Sequence, residues 1–283
     1  MQVKEKIGEG NFLDLRICDN LELMAEIKDN TIDLIYCDIL YGTGRKFKDY
    51  QDLKPIRSEI ENHYIPRIKE MHRILKPTGS IYLQMDWRIS HWLRCIMDDI
   101  FGYERFLNEI IWCYKQRENP NKKGFNSKHD NILFYTKTND FIFNQIFEEY
   151  SPDYLKKNFK KGIDGRMQRK QPDGKGGYYI QYLDVSKGQP VRDWWEITPL
   201  TGKGGEMVGY DTQKPKALIE RIIKASSNEG DLVADFYSGS FTTAEVCKDL
   251  KRNFIGCDIN PNCFEKAKER GLFSFTDLPT NVD

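Results

Sequence analysis

With 283 residues, 43 Lys plus Arg and 43 Asp plus Glu, the chain is long enough for one large or two modest domains, and its zero net charge confines any basic surface to a local patch. Its seven cysteines (Cys18, Cys37, Cys95, Cys113, Cys247, Cys257 and Cys263) form no C-x-x-C pair, which argues against a disulfide scaffold or zinc site and for a reducing, cytoplasmic setting. No basic-then-apolar leader and no long apolar run is present, so neither export nor membrane spanning is expected.

Residues 12–17 alternate as a half-buried strand does, and Asp19 or Asn20 then caps a helix over 21–27. The apolar, β-branched run 32–36 ends in Asp38, an aromatic at Tyr41, and glycines at Gly42 and Gly44, as a buried strand feeding a loop should. These elements make a β-α-β unit that places the strand ends at Asp19 and Asp38 near each other, at the carboxyl ends of strands where ligands bind in an open α/β sheet. The polar loop 42–55, with Arg45, Lys46, Lys48 and Lys54, reads as mobile and exposed. Helical spacing over 58–75 stops at the Lys76-Pro77-Thr78-Gly79 breaker, and strand 80–85, helix 89–100 and strand 106–114 follow. Such alternation predicts a mainly parallel sheet with helices on both faces. His63, His72 and His91 fall on helices as surface or packing residues.

Residues 115–128 are aperiodic and basic, with Lys115, Arg117, Lys122, Lys123 and Lys128, before a strand at 132–135. Over 151–180, Lys156, Lys157, Lys160, Lys161, Arg166, Arg169, Lys170 and Lys175 outnumber Asp153, Asp164 and Asp173, and Tyr154, Phe159, Tyr178, Tyr179 and Tyr182 sit among or just after them. Basic residues interleaved with aromatics suit a nucleic-acid surface; a solvated loop over packed tyrosines is the alternative. Beyond Trp194-Trp195, core or domain-joining residues, and the glycines Gly202, Gly204 and Gly205, Thr212 caps a helix whose buried stripe is Leu218, Ile219, Ile222 and Ile223. Strand 231–235 then meets helix 242–250 through a small-residue turn at Gly239, and strand 253–258 ends in Asp258. A helix N-terminus with free amides, and an acid about 20 residues after the turn, describe a site for an adenosine-containing cofactor. A nicotinamide dinucleotide would use the same device, although the glycines here are not G-x-G-x-x-G.

Four stretches in this order are specific together. They are Asp38-Ile39-Leu40-Tyr41, the run His129-Asp130-Asn131-Ile132-Leu133-Phe134-Tyr135-Thr136-Lys137, Thr212-Gln213-Lys214-Pro215, and Asp235-Phe236-Tyr237-Ser238-Gly239-Ser240-Phe241-Thr242-Thr243. Their order resembles the β-group amino methyltransferases of DNA, the S-adenosylmethionine enzymes of restriction-modification systems. Asp rather than Ser at position 38 is similar to the adenine-N6 members more than to the cytosine-N4 members.

The resemblance implies a doubly wound, mainly parallel seven-stranded α/β sheet in permuted order, with a catalytic half (1–140), an inserted basic target-recognition region (141–189) and a cofactor-binding half (190–283). It implies that Asp38 and the Ile39 carbonyl accept the two hydrogens of a flipped-out adenine amine and that Tyr41 stacks on the base. Asp258 would hold the cofactor ribose and Asp19 its adenine, with Asp38, Thr212, Lys214, Asp235, Tyr237, Gly239, Ser240 and Thr242 around the rest. Duplex DNA would meet Arg45, Lys115, Arg117, Lys122, Lys123, Lys156, Lys157, Lys160, Lys161, Arg169 and Lys170; no metal is called for. A cognate restriction endonuclease and a second copy of the chain are the candidate protein partners. Two departures stand out. Ile39-Leu40 replaces paired prolines, leaving the Ile39 carbonyl less constrained, and Phe241 replaces the last glycine of G-S-G-T-T, where a side chain would crowd the cofactor or force another backbone conformation. The alternative readings are a methyltransferase-like nucleic-acid-binding subunit of weak or no activity, and a cytosine-N4 or RNA methyltransferase.

Overall fold

The computed structural model describes residues 1–7, 10–47, 50–114, 119–121, 123–200, 205–210 and 212–273. Lys48, Lys115, Arg117, Lys122, Gly202 and Gly204, singled out above, lie outside the described residues. Two compact units divide the chain, Met1–Asn144 with Asp193–Asp283, and Gln145–Arg192.

In chain order the first unit runs β1 (Gln2–Ile7), β2 (Asn11–Ile17), α1 (Asn20–Glu26), β3 (Ile32–Asp38), α2 (Arg57–Ile74), β4 (Leu75–Met85), α3 (Trp87–Phe101), β5 (Phe106–Cys113) and β6 (His129–Thr136). The second unit holds β7 (Phe147–Glu148), α4 (Pro152–Asn158), β8 (Lys160–Lys161), β9 (Met167–Pro172), β10 (Tyr178–Leu183) and β11 (Gln189–Pro190). The first unit then resumes with β12 (Trp194–Glu196), α5 (Lys216–Ser226), β13 (Leu232–Asp235), α6 (Thr242–Asp249), β14 (Asn253–Asp258) and α7 (Asn262–Glu269).

One nine-stranded sheet, β1-β2-β14-β13-β3-β4-β6-β5-β12, organises the first unit. Seven strands were expected; β1, antiparallel to β2, and the three-residue β12, parallel to β5, extend the two edges. Strands β2, β14, β13, β3 and β4 are mutually parallel, and β6 runs antiparallel to both β4 and β5. Within the β-α-β unit of β2, α1 and β3, strands β14 and β13 lie between β2 and β3 in the sheet. Six of the seven β3 residues are buried, as in a parallel strand covered on both faces. Ile35 and Cys37 join Leu23, Ile60, Tyr64 and Ile68 of α1 and α2 in one core. On the opposite face the Tyr82 hydroxyl meets Ser226 Oγ of α5 at 2.8 Å. Each fully buried Leu, Ile or Phe here contributes about 1.5–3 kcal/mol.

Local chemistry sets the helix starts. Asp19 caps α1 by accepting from Leu21 N at 2.8 Å, and Asp86 caps α3 by accepting from Arg88 N at 2.9 Å. Helix α5 differs from expectation: it begins at Lys216, after Pro215 rather than Thr212, and Glu206 Oε1 accepts from Lys216 N at 2.6 Å in place of a threonine cap. The loop 42–55 is also more constrained than its composition suggested. Asp52, 3% exposed, accepts from Gly42 N (3.0 Å), Thr43 N (2.7 Å) and Leu53 N (2.9 Å), pinning both ends of the loop. Gly42 is required there: it adopts φ +64°, and a Cβ would lie 2.6 Å from Ile89 Cγ2.

In the second unit β10, β9 and β8 form an antiparallel sheet of their own. Alternation puts Tyr178, Ile180 and Tyr182 on the same face as Lys170 and Gln168, and all three are exposed, by 63%, 47% and 48%. Lys170 Nζ lies 4.5 Å above the Tyr178 ring and Arg166 4.0 Å from that of Tyr182. Arg169 belongs to the other face: it lies 4.9 Å over the Phe159 ring and donates to Gln181 Oε1 at 2.7 Å, so it is a packing residue rather than a free cation.

Candidate active site

Strands β3 and β13 are hydrogen-bonded neighbours whose chains then leave in opposite directions, β3 through α2 to β4 and β13 through α6 to β14. Such a switch point opens a crevice at the carboxyl ends of the strands. A cavity of about 470 Å³ occupies it, within the range of about 300–1,000 Å³ typical of ligand sites. Every catalytic or cofactor residue named from the sequence lines it: Asp19, Asp38, Ile39, Tyr41, Thr212, Lys214, Asp235, Tyr237, Gly239, Ser240, Thr242 and Asp258. Early acid and late glycine turn therefore face one space.

On the β3 side, Asp38 Oδ2 accepts from Lys214 Nζ and Oδ1 from the Tyr41 hydroxyl, at 2.7 and 2.9 Å. Burial pushes the Asp38 carboxyl above its ordinary range, while the Lys214 ammonium pulls it back down. The same Tyr41 hydroxyl lies 2.6 Å from Asp130 Oδ2, and Gln84 Nε2 donates to that oxygen at 3.1 Å. Loop 39–41 needs no prolines to hold it. Ile39 N donates to Gln84 O at 3.1 Å, a bond proline could not make, and the Leu40 carbonyl accepts from the Tyr64 hydroxyl at 2.9 Å.

Across the cavity, Gly239 turns at φ +51°, where a Cβ would stand 3.2 Å from Tyr210 Cε1. Asp258 Oδ2 accepts from Gly239 N and Oδ1 from Asn260 N, both at 2.9 Å, which fixes the carboxylate at the cavity wall. Beside it Asn260 Nδ2 is buried with no hydrogen-bond partner among the described residues. Asp235 is turned to the turn itself, accepting from Thr243 Oγ1 (2.6 Å) and Tyr237 N (3.0 Å), and burial raises its carboxyl to about 7. Arg270 holds the turn from behind through the Ser240 carbonyl (2.7 Å) and Thr242 Oγ1 (2.8 Å).

Phe241 does not fill the cavity. Its ring is fully buried, 6.0 Å from Phe264 and 6.3 Å from Phe254, and it is absent from the cavity wall. The backbone keeps the left-handed conformation, φ 54° and ψ 33°, that a glycine would adopt, so the side chain points into the core instead of at a ligand.

Sequence reasoning missed several residues. His63 lines the cavity and meets the Tyr237 hydroxyl at 3.0 Å; burial lowers its imidazole to about 4, with Arg67 adding to the fall. Arg67, one turn later on α2, donates to Asp19 Oδ2 (2.9 Å) and Asn20 Oδ1 (2.8 Å). Their i, i+4 spacing beside the apolar stripe was the available signal. Phe47 and Tyr50 stack at 4.8 Å, and both line the cavity from the pinned loop.

A doubly wound sheet whose switch-point crevice joins an acid-x-x-Tyr strand end to a glycine turn and a late acid defines the amino-methyltransferase class. The chain belongs to the N6_N4_Mtase family of DNA methylases, which matches residues 32–269. It is 32% identical over 255 residues to the Type II methyltransferase M.HpaI of Haemophilus parainfluenzae, covering 90% of this chain and 73% of that protein. The Type II methyltransferase M.BglII of Bacillus subtilis is 29% identical, and the chain spans 64% of its length. The DNA adenine methyltransferase YhdJ of Escherichia coli K12 is 30% identical over 262 residues, 89% of this chain and 80% of YhdJ. Among solved structures, the PvuII cytosine-N4-specific DNA methyltransferase has the same fold at TM-score 0.65 and 17% identity, covering 98% of this chain and 92% of that one. The complex of M1.HpyAVI with S-adenosylmethionine follows at TM-score 0.55 and 19% identity, covering 91% and 99%. No helix among the described residues is long and apolar enough to cross a membrane.

Proposed function

We propose that the chain transfers the methyl group of S-adenosylmethionine to the exocyclic N6 of an adenine flipped out of duplex DNA. The observation that carries this reading is the Asp38 carboxylate, fixed by Lys214 and Tyr41, in the same crevice as the Gly239 turn. The residues present fit the cofactor. Asn260 Nδ2 is a buried donor with no partner among the described residues, and it lines the cavity beside the fixed Asp258 carboxylate and the Gly239 turn. Asp258 and Asn260 would hold the nucleoside, with Asp19 and Arg67 near its base and Tyr237 and Gly239 along the methionine. When bound, the cofactor supplies an electrophilic methyl on a sulfonium.

An adenine amine is a poor nucleophile because its lone pair is delocalised into the ring. Asp38 and the Ile39 carbonyl each accept one amine hydrogen, which turns the lone pair out of the ring plane toward the methyl group. Both acceptors are set in advance, by the Lys214 ion pair and by the Ile39 N–H bond to Gln84, so little reorganisation is needed at the moment of reaction. In the second unit DNA binding falls to the exposed face of β10, where Tyr178 and Tyr182 supply stacking surface and Lys170 and Arg166 supply phosphate contacts, with Lys160, Lys161, Lys156 and Lys157. In the first unit, taken by itself, exposed Arg45 and Lys123 are the candidate phosphate contacts. A cognate restriction endonuclease and a second copy of the chain belong to the same proposal; co-purification and sedimentation test them.

Labelled methyl transfer to duplex DNA, with Asp38→Ala as control and mass spectrometry of the nucleosides, tests the reading. N6-methyladenine from the wild type alone is expected. Methylcytosine, or cofactor binding without transfer, overturns it.

A further inference from the structure

One buried acid has no task in the reaction as described. Asp130, on β6 and 4% exposed, accepts from the hydroxyls of Tyr41 and Tyr114 and from Gln84, at 2.6, 3.2 and 3.1 Å. Tyr36 donates to Gln84 Oε1 at 2.9 Å, which fixes the amide so that its NH2 group faces Asp130 and, at 3.3 Å, the Tyr41 oxygen. The Tyr41 oxygen thus stands between two carboxylates, 2.9 Å from Asp38 and 2.6 Å from Asp130.

A phenol has one proton to donate. With both acids ionised it serves only one of them, and the other contact sets lone pair against lone pair inside the protein. Both short contacts are satisfied when the chain Asp38–Tyr41–Asp130 holds one proton more, on either acid: that acid donates to the phenol oxygen and the phenol donates to the other; before transfer the chain lacks this proton and Asp38 is a carboxylate able to accept. Amine methylation releases one proton. As the nitrogen–methyl bond forms and the methyl–sulfur bond breaks, its electron pair going to sulfur, the nitrogen must lose one hydrogen as H⁺.

We propose that Asp130 is the terminal acceptor of the proton released from the target amine. The proton passes to Asp38 Oδ1; the Tyr41 phenol takes it while handing its own to Asp130 Oδ2, and the Asp38 carboxylate is restored. Lys214 occupies Asp38 Oδ2, which leaves Oδ1 as the oxygen open to this path. Burial and both carboxylates hold the phenol well above its usual range, so Tyr41 relays a proton without remaining a phenolate. The other charged or titratable groups facing the chain are Tyr36 from β3 itself, Asp235 from neighbouring β13, Tyr50 from the pinned loop, and Tyr114 with Asp86 and Arg88 beyond it. Asp130 helps to raise the Asp38 carboxyl, after burial, so neutralising it lowers Asp38.

The inference rests on the methyl-transfer reading, and the test separates the two. Full-length Asp130→Asn and Tyr41→Phe are compared with wild type in single-turnover methyl transfer across pH, in calorimetric affinity for S-adenosylmethionine, and in infrared spectra of the protein alone. Asp130→Asn is expected to slow transfer at least about tenfold (about 1.4 kcal/mol), to move the acid limb of the pH profile to lower pH, and to bind cofactor like wild type. Both variants are expected to lose a protonated-carboxyl infrared band that wild type gains only as pH falls through the acid limb, when solvent loads the chain, and the double variant is expected to be no slower than the slower single. An unmoved acid limb, an unchanged band or additive losses overturn the proposal. A wild type that transfers no methyl group overturns the methyl-transfer reading instead, and the infrared comparison still judges the proton chain.

Discussion

Phe241 offers a substitution series in which two opposed effects can be weighed. Its ring is fully buried against Phe254 and Phe264 while its backbone sits at φ 54°. Phe241→Ala removes the ring and keeps the unfavourable backbone, a loss of about 3–5 kcal/mol from the deleted ring. Phe241→Gly loses the same ring but recovers the cost of a left-handed non-glycine residue, about 1–2 kcal/mol, less about 0.5–1 kcal/mol for glycine's freer unfolded chain. The glycine variant is therefore expected to be destabilised by about 2.5–4 kcal/mol and to remain more stable than the alanine variant, the reverse of the usual order within a helix. Urea unfolding followed by tryptophan fluorescence measures both. Affinity for S-adenosylmethionine should change less than about tenfold in either variant, because the ring is not part of the cavity wall. An alanine variant at least as stable as the glycine one, or a tenfold gain in affinity on losing the ring, refutes the account.

Four further outcomes follow from the site. Asp235 titrates at about 7 when folded and near 3.9 when unfolded, so its proton stabilises the fold fully below about pH 4 and that contribution is lost as pH rises to about 7; Asp235→Asn should gain on wild type across that window, by roughly 1.4 kcal/mol per pH unit at most. A difference in unfolding free energy that stays flat with pH would contradict this. His63, lowered to about 4 from an ordinary 6.5, should show no NMR titration between pH 5.5 and 8, and its neutral form should favour folding above 6.5 and cease to do so as pH falls to about 4. Lys214→Met strands the Asp38 carboxylate and should cost about 3–5 kcal/mol, much of it restored in Lys214→Met/Asp38→Asn; melting temperatures that add independently would remove the ion pair from the account. In the second unit, alanine at Tyr178 or Tyr182 should weaken DNA binding by about 1–3 kcal/mol without altering its salt dependence. Removing Lys160, Lys161 and Lys170 should flatten the salt slope, and a slope unchanged by the lysines would take this face out of the interface.

Much of the site was legible because its residues sit where local rules are strong. A buried strand ending in Asp38, a capped helix after Asp19 and a glycine turn before a ribose-spaced acid each declare themselves within a dozen residues. What depended on distant partners did not. The capping role of Glu206, the Asp52 clamp on the Gly42 loop and the Arg270 buttress behind Ser240 are long-range bonds that no periodicity announces. The substitutions at Ile39 and Phe241 read as defects because a motif specifies residue types without saying what can replace their function. Ile39 supplies stiffness through a hydrogen bond, and Phe241 keeps the glycine conformation while its ring pays its way as core. The place of β13 and β14 between β2 and β3 also escaped, since no local pattern says what later strand is inserted between consecutive ones.

That insertion has a consequence for biosynthesis. Strands β2 and β3 are translated early, yet the sheet leaves a gap between them that only β13 and β14 fill, and Phe236 N reaches Cys37 Sγ across 199 residues to close it. A nascent chain on the ribosome thus presents two unpaired strand edges until its last portion emerges, and such edges invite pairing with other chains. A product truncated before β13 would lack the middle of its sheet as well as half of its crevice, so premature termination yields no partly competent enzyme able to mark DNA.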